Sequence, residues 1–294
     1  MRPSVLAGID GSEYAATAAD WAAREATLRG IPLRLLHVSP RLRGDVPGPA
    51  RDRLRQLGAQ LVQRTVDDLV GRYPGLESTA EQADGAPADA LVRSAAHCTG
   101  LVVVGTRGAG GFKDLLVGSV ALRTAAAAGC PVVLVPPRIG TFANGSATRG
   151  TGLVVLGFDA HRPVGEAADF AFSAAATRGA RLRVVQAWNL PAESVSPRTL
   201  VVTEEDRATW EDQEDLELSD ALRPWQEKHP RVPVTTDLML LHPAEALLNA
   251  SHGADLLVVG RRSDPDSAEG RLGPVTHAVL HHARCPVAVI PHDG

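Results

Sequence analysis

The sequence has no apolar run approaching the roughly 18 residues that a membrane-spanning helix needs. Near its start, Arg2 precedes Val5-Leu6-Ala7-Gly8-Ile9, a stretch too short for the apolar core of a secretory signal, so a cytoplasmic location is expected. Cysteine is scarce. Three residues, an odd number, do not frame a disulfide-stapled fold. Cys130 and Cys285 each stand in Cys-Pro-Val before an apolar strand, where a thiol reads as a small buried apolar group. A redox role would need an electropositive environment that the sequence does not show. Aromatics are few as well: five Phe, four Trp and two Tyr leave the core to Val, Leu and Ala. The net charge of −4 lacks the basic excess that nucleic acid demands. Three catalytic signatures are also missing: a Gly-x4-Gly-Lys-Ser/Thr loop, a Gly-x-Ser-x-Gly elbow, and any paired nucleophile and base. No catalytic residue is therefore expected.

What is present is an internal repeat. The 294 residues suit about two domains. Val5-Leu6-Ala7-Gly8-Ile9-Asp10 matches Val154-Val155-Leu156-Gly157-Phe158-Asp159, at an offset of 149. Leu101-Val102-Val103-Val104-Gly105 matches Leu256-Leu257-Val258-Val259-Gly260, and Cys130-Pro131-Val132 matches Cys285-Pro286-Val287, both at an offset of 155. The second copy has thus gained about six residues between its second and fourth strands. The expected domains are 1–138 and 151–294, joined through the Gly-, Ser- and Thr-rich stretch 139–150. In the first copy, strands are expected at 4–9, 33–38, 76–82, 101–104 and 132–135, and helices at 13–29, 50–72, 87–97 and 119–128. Ser12 is placed to cap the first helix. Five strands separated by helices imply an α/β fold with a parallel, doubly wound sheet, whose ligands sit at the carboxyl ends of the strands.

The chemistry concentrates there. Gly105-Thr106-Arg107-Gly108 ends the fourth strand; after nine residues, Gly118-Ser119 opens a helix. Gly108 removes a side chain where backbone approaches a ligand, and it permits positive φ. A helix N-terminus offers unpaired N–H groups that suit phosphate, and the Ser119 hydroxyl adds a donor. Arg107 and Lys113 can supply positive charge. Asp10, ending the first strand, could accept from ribose hydroxyls, hold a phosphate-bridging metal, or simply form a turn.

The segment Gly105 to Val120, the strand-ending Ile9-Asp10-Gly11-Ser12 and the Gly129-Cys130-Pro131-Val132-Val133-Leu134-Val135-Pro136 ending together resemble the universal stress protein family. The likeness covers both halves, as in a tandem member. It implies two Rossmann-like domains of the adenine nucleotide alpha hydrolase type, each with a five-stranded parallel sheet flanked by helices. The form Gly-x2-Gly-x9-Gly-Ser/Thr characterises that family's ATP-binding branch. By the resemblance, Asp10 and Val38 contact the adenosine part, with Asp10 also a candidate for magnesium carried by the nucleotide. Gly105, Arg107, Gly108, Gly118, Ser119 and Val120 line the phosphate side. The terminal strands, 132–135 and 287–290, are expected to pair across a pseudo-twofold axis, and a homodimer is a further expectation. The implied role is nucleotide-dependent regulation in stress survival or dormancy. A slow ATPase, and an interaction scaffold with structural nucleotide, stand as alternatives.

The second copy departs at two motif positions. Ser263 replaces the second Gly, and Pro274, which has neither N–H nor hydroxyl, replaces Ser119. Residues 264–272 carry Asp264, Asp266 and Glu269 against one Arg, a charge that opposes phosphate. ATP is therefore expected in domain 1, and weakly or not at all in domain 2, although Arg261, Arg262 and Asp159 could favour binding there. The acidic run Glu204 to Asp220 reads as the solvated face of a long helix. His277, His281 and His282 read as surface or interface residues rather than metal ligands.

Overall fold

The computed structural model describes residues 2–39, 48–96, 100–109, 116–137, 151–188, 204–263 and 270–293. The 139–150 linker and Lys113 lie outside these residues. The first repeat runs β1 (Val5–Ile9), α1 (Glu13–Arg29), β2 (Leu33–Ser39), α2 (Gly48–Arg72), β3 (Ser78–Asp84), α3 (Pro87–Ala96), β4 (Leu101–Gly105), α4 (Ser119–Ala127) and β5 (Val132–Val135). The second repeats that order as β6 (Leu153–Gly157), α5 (Gly165–Arg178), β7 (Arg181–Ala187), α6 (Glu204–Lys228), β8 (Val234–Met239), α7 (Pro243–Ala250), β9 (Leu256–Arg262), α8 (Pro274–His282) and β10 (Val287–His292).

Strands β1, β4 and β5 are continuous apolar runs because helices cover both faces of the sheet. Val5, Ala7 and Ile9 of β1 face one way into a core with α1, α2, α5 and α6. Leu6 faces the other way, into a core with α3, α4, α7 and α8. Each such Val or Leu contributes about 1.5–3 kcal/mol by burial. Helix α1 presents Ala15, Ala18, Ala19, Ala22, Ala23 and Ala26 to the sheet, so its backbone lies close to the strands. Ser12 caps it by accepting from the Ala15 N–H at 3.1 Å. Gly30, at φ 64°, ends it in the left-handed region with its N–H on the Ala26 and Thr27 carbonyls.

The strand order is β3-β2-β1-β4-β5-β10-β9-β6-β7-β8, one continuous ten-stranded sheet rather than two separate ones. Within each repeat every pairing is parallel, and the winding reverses between β1 and β4 and between β6 and β9. The halves meet at the terminal strands, antiparallel, with Val287 opposite Leu134 and Val289 opposite Val132.

Helices α1 and α5 reinforce this seam with repeat-related residues. Arg29 lies over the Phe170 ring at 5.3 Å, and Arg178 lies over the Trp21 ring at 5.8 Å. Trp21 and Phe170 are 149 positions apart, as are Arg29 and Arg178. A single carboxylate serves both arginines. Glu25, 1% exposed, accepts from Arg29 Nε at 2.6 Å and from Arg178 Nη2 across the seam. At the repeat-related position on α5 stands Ala174, fully buried.

Candidate nucleotide site

The two segments singled out by sequence converge at the β1/β4 reversal. After β1, Gly11 adopts φ 82° and turns the chain sharply. Asp10 Oδ1 then accepts from the Ser12 backbone N–H at 2.9 Å and from its hydroxyl at 2.6 Å. Asp10 Oδ2 accepts from the Ala109 N–H at 2.7 Å, which ties the β1 loop to the β4 loop. Asp10 is exposed, yet three hydrogen bonds already engage its carboxylate. Ala109 carries no side-chain signal that sequence could have revealed.

The glycines have different reasons to be there. A Cβ on Gly105 would lie 2.8 Å from the Tyr14 carbonyl carbon and oxygen, so this loop packs directly on the first turn of α1. Gly108 does not adopt a positive φ, contrary to one reading of the motif. Its constraint is space: a Cβ would lie 2.5 Å from Asp10 Oδ2. Gly118 closes the loop, its N–H donating to the Thr106 carbonyl at 2.7 Å. A Cβ there would meet Thr106 O at 3.6 Å and Arg107 Cα at 3.7 Å, ordinary contacts. The protein's own packing does not require glycine at 118.

Helix α4 begins at Ser119 with Gly118 as N-cap and no side chain bonded to its first N–H groups. Ser119 is exposed, and Val120 is 37% exposed. Arg107 is held over the Tyr14 ring at 5.4 Å, with Nη1 donating to the Tyr14 hydroxyl at 3.3 Å. Val38, at the end of β2, is partly buried against the α3/α4 core. Beside it, His37 Nδ1 donates to the Ile9 carbonyl at 2.8 Å and fixes the end of β2 against β1. Asp10, Gly105, Arg107, Gly108, Gly118, Ser119 and Val120 thus border one loop system at the carboxyl ends of β1 and β4. Among the described residues, no group of three or more His, Cys, Asp or Glu side chains is arranged to hold a metal.

The second repeat differs in backbone as well as in side chains. Strand β4 leaves β5 after Gly105, with the Thr106 N–H on the Val135 carbonyl. Strand β9 pairs with β10 two residues further, Arg261 with Pro291 and Arg262 with His292. The Ser263 N–H then donates to the His292 carbonyl at 2.7 Å. The segment equivalent to the Gly105–Gly108 turn therefore continues as strand to Arg262, and the Ser263 N–H is taken up by the ladder. Arg261 is 5% exposed and donates Nη2 to the Ala128 carbonyl of the first repeat at 2.6 Å. A cavity of about 480 Å³ remains beside it, lined by Arg261, Arg262, Arg271 and Gly273 among others. Asp264, Asp266 and Glu269 lie outside the described residues.

The acidic run on α6 is not wholly a solvated face. Glu214, 19% exposed at its side chain, reaches the carboxyl ends of β6 and β7. It accepts from Gln186 Nε2 through Oε2 and lies 3.1 Å from His161 Nε2 through Oε1. Gln186 Oε1 accepts in turn from the Ala160 N–H at 3.0 Å. Gln186 occupies the repeat position of His37, so this polar network sits at the second repeat's counterpart of the β1 and β2 strand ends. No local motif announced it; the partners are 28 and 53 positions apart.

Of the remaining candidates, Cys285 is buried, and burial pushes its thiol up to about 12, an inert state. His277 and His281 have ring centroids 4.6 Å apart, and the His281 pKa is held below the usual range by burial, then by His277 and His282.

The chain matches the model of the Universal stress protein family at residues 1–136 and again at 152–291. It is 32% identical over 298 aligned positions to a universal stress protein of Mycobacterium tuberculosis, covering 97% of this chain and 96% of that one. A Mycolicibacterium smegmatis universal stress protein is 30% identical over 97% of this chain and 96% of its own length. Among solved structures, a universal stress protein from Archaeoglobus fulgidus superposes with a TM-score of 0.70 at 17% identity, over 99% of this chain and 98% of that one, a likeness of fold.

Proposed function

Because this chain belongs to the universal stress protein family, we propose that its first repeat binds ATP and that the second binds it weakly or not at all. The protein then acts in the cytoplasm as a nucleotide-dependent regulator in stress survival or dormancy, through a protein partner of unknown identity. The observation that carries the reading is the divergence of the two loops. The first turns back to Asp10 and opens onto an uncapped helix N-terminus, whereas the second continues as strand to Arg262.

Asp10 and Val38 would border the adenosine. Asp10 uses three of about four carboxylate lone-pair positions on Ser12 and Ala109, leaving room to accept from one ribose hydroxyl. Gly105, Gly108 and Arg107 shape the wall of the phosphate side. Gly118, Ser119 and Val120 offer helix N–H groups and one hydroxyl. That protein packing does not require glycine at 118 is what a ligand approaching that backbone would explain. Magnesium would arrive with the phosphates and keep waters rather than enter a protein cage.

The test is the nucleotide released on denaturing purified chain, with its stoichiometry, followed by titration of emptied protein. One adenine nucleotide per chain is expected, lost in Gly118→Asp. Two equivalent sites, or full binding in Gly118→Asp, would sink the reading.

A further inference from the structure

The altered segment of the second repeat does not face only its own cavity. It also grips the far end of the helix whose first turn forms the proposed phosphate site. Helix α4 is nine residues long, roughly 13 Å from Ser119 to Ala127. Its last carbonyls lack helical partners and carry the negative end of its dipole. Arg261 crosses the seam and donates Nη2 to the carbonyl of Ala128, the C-cap residue, at 2.6 Å. Gly270, from the same β9–α8 segment, lies against the same last turn: a Cβ on it would fall 1.9 Å from the Ala126 carbonyl oxygen. Two independent contacts from the second repeat thus fix where α4 ends.

The first repeat carries no arginine at the matching position. The repeat-related partner of Arg261 is Thr106, whose side chain is too short to span the seam. Its hydroxyl is buried without a partner among the described residues. An arginine thus reaches the end of the helix that begins Gly118-Ser119, while the repeat-related position in the first repeat holds a threonine. The guanidinium serves the helix with the intact motif.

We propose that Arg261 is a positioning residue for the first repeat's phosphate site: by holding the C-terminus of α4 it sets the position and field of the N–H groups at Ser119 and Val120. The second repeat then regulates triphosphate affinity without binding nucleotide itself. The inference rests on the reading that the first repeat binds ATP.

Titration of the whole chain with ATP and, separately, with adenosine tests it. Wild type should bind both. Arg261→Met should weaken ATP on the order of tenfold, from a misplaced helix end, and leave adenosine within about twofold. Arg261→Lys, which keeps a cationic donor, should recover most of the loss. Should Arg261→Met fail to fold, Arg261→Gln, which removes the cation and shortens the reach but keeps a polar group at the buried position, carries the same expectation. Unchanged ATP affinity in a folded variant overturns the proposal. Equal weakening of ATP and adenosine also overturns it, because general loosening does not distinguish phosphates. Wild type that binds no ATP refutes instead the reading beneath it, before any variant is compared.

Discussion

Removing the Glu25 carboxylate should loosen the seam between the repeats. Glu25 is 1% exposed, and its partner Arg178 retains 10% side-chain exposure. Burial pushes the Arg178 guanidinium below its usual range, and Glu25 is the main influence opposing that. Glu25→Ala would leave that cation buried without its counter-charge. Stranding one member of a buried pair costs about 3–5 kcal/mol. For a chain of 294 residues each kcal/mol lowers the midpoint by roughly 1.6 °C, so the melting temperature should fall by about 5–8 °C. The same physics predicts that deleting both partners is cheaper than deleting one. Glu25→Leu with Arg178→Met should recover part of the loss, since the desolvation penalty of that pair disappears with it while Arg29 still loses its carboxylate. The repeat symmetry supplies a second comparison: Glu25→Ala with Ala174→Glu moves the carboxylate to the related position on α5 and should also recover stability. Thermal and urea unfolding of the four proteins decides the matter. A loss below about 1 kcal/mol in Glu25→Ala would refute the reasoning, since that is the range of an exposed ion pair. A double variant less stable than Glu25→Ala would refute it too.

Gly108→Ala should weaken ATP binding by about tenfold or more with little change in global stability, because the new Cβ would lie 2.5 Å from Asp10 Oδ2 and must displace the loop; calorimetric titration beside a melting curve separates the two effects. Burial is the first cause that lowers the pKa of both His281 and His292. Such groups bind fewer protons in the folded state, so stability is fully present above the ordinary histidine range, about pH 6.5. It should fall as pH drops below that value, and His281→Asn should flatten the decline in urea unfolding measured from pH 7.5 to 5.

Much of the scaffold was legible because its rules are local and repeated. Strand β5 lies at the expected residues, α1 begins and ends as its cap and alanine face require, and the other boundaries of the first repeat shift by one or two residues. The loop's parts were also visible, since glycine at a fixed spacing leaves a pattern in sequence. What escaped were effects that depend on who meets whom across long separations. The need for Gly108 is Asp10, 98 positions away, rather than its own φ. Glu214 looked like one acid among many on α6, yet it turns inward because Gln186 and His161 offer it donors. Arg261 reads as a free cation beside a phosphate loop; only the seam shows that its guanidinium reaches across to the Ala128 carbonyl. The run-on of β9 was hidden because two additional ladder pairs leave no compositional mark.

The antiparallel join of β5 and β10 has a consequence for counting. Two separate copies that meet along such an edge part on dilution, and their pairing tracks how much protein a cell holds. Here the partner is tethered, so the union is intramolecular and insensitive to expression level. A pair of identical binders has three loading states: empty, half and full. With one proposed site per sealed pair, this molecule has two. On that proposal it would report nucleotide as a yes or a no, one molecule at a time.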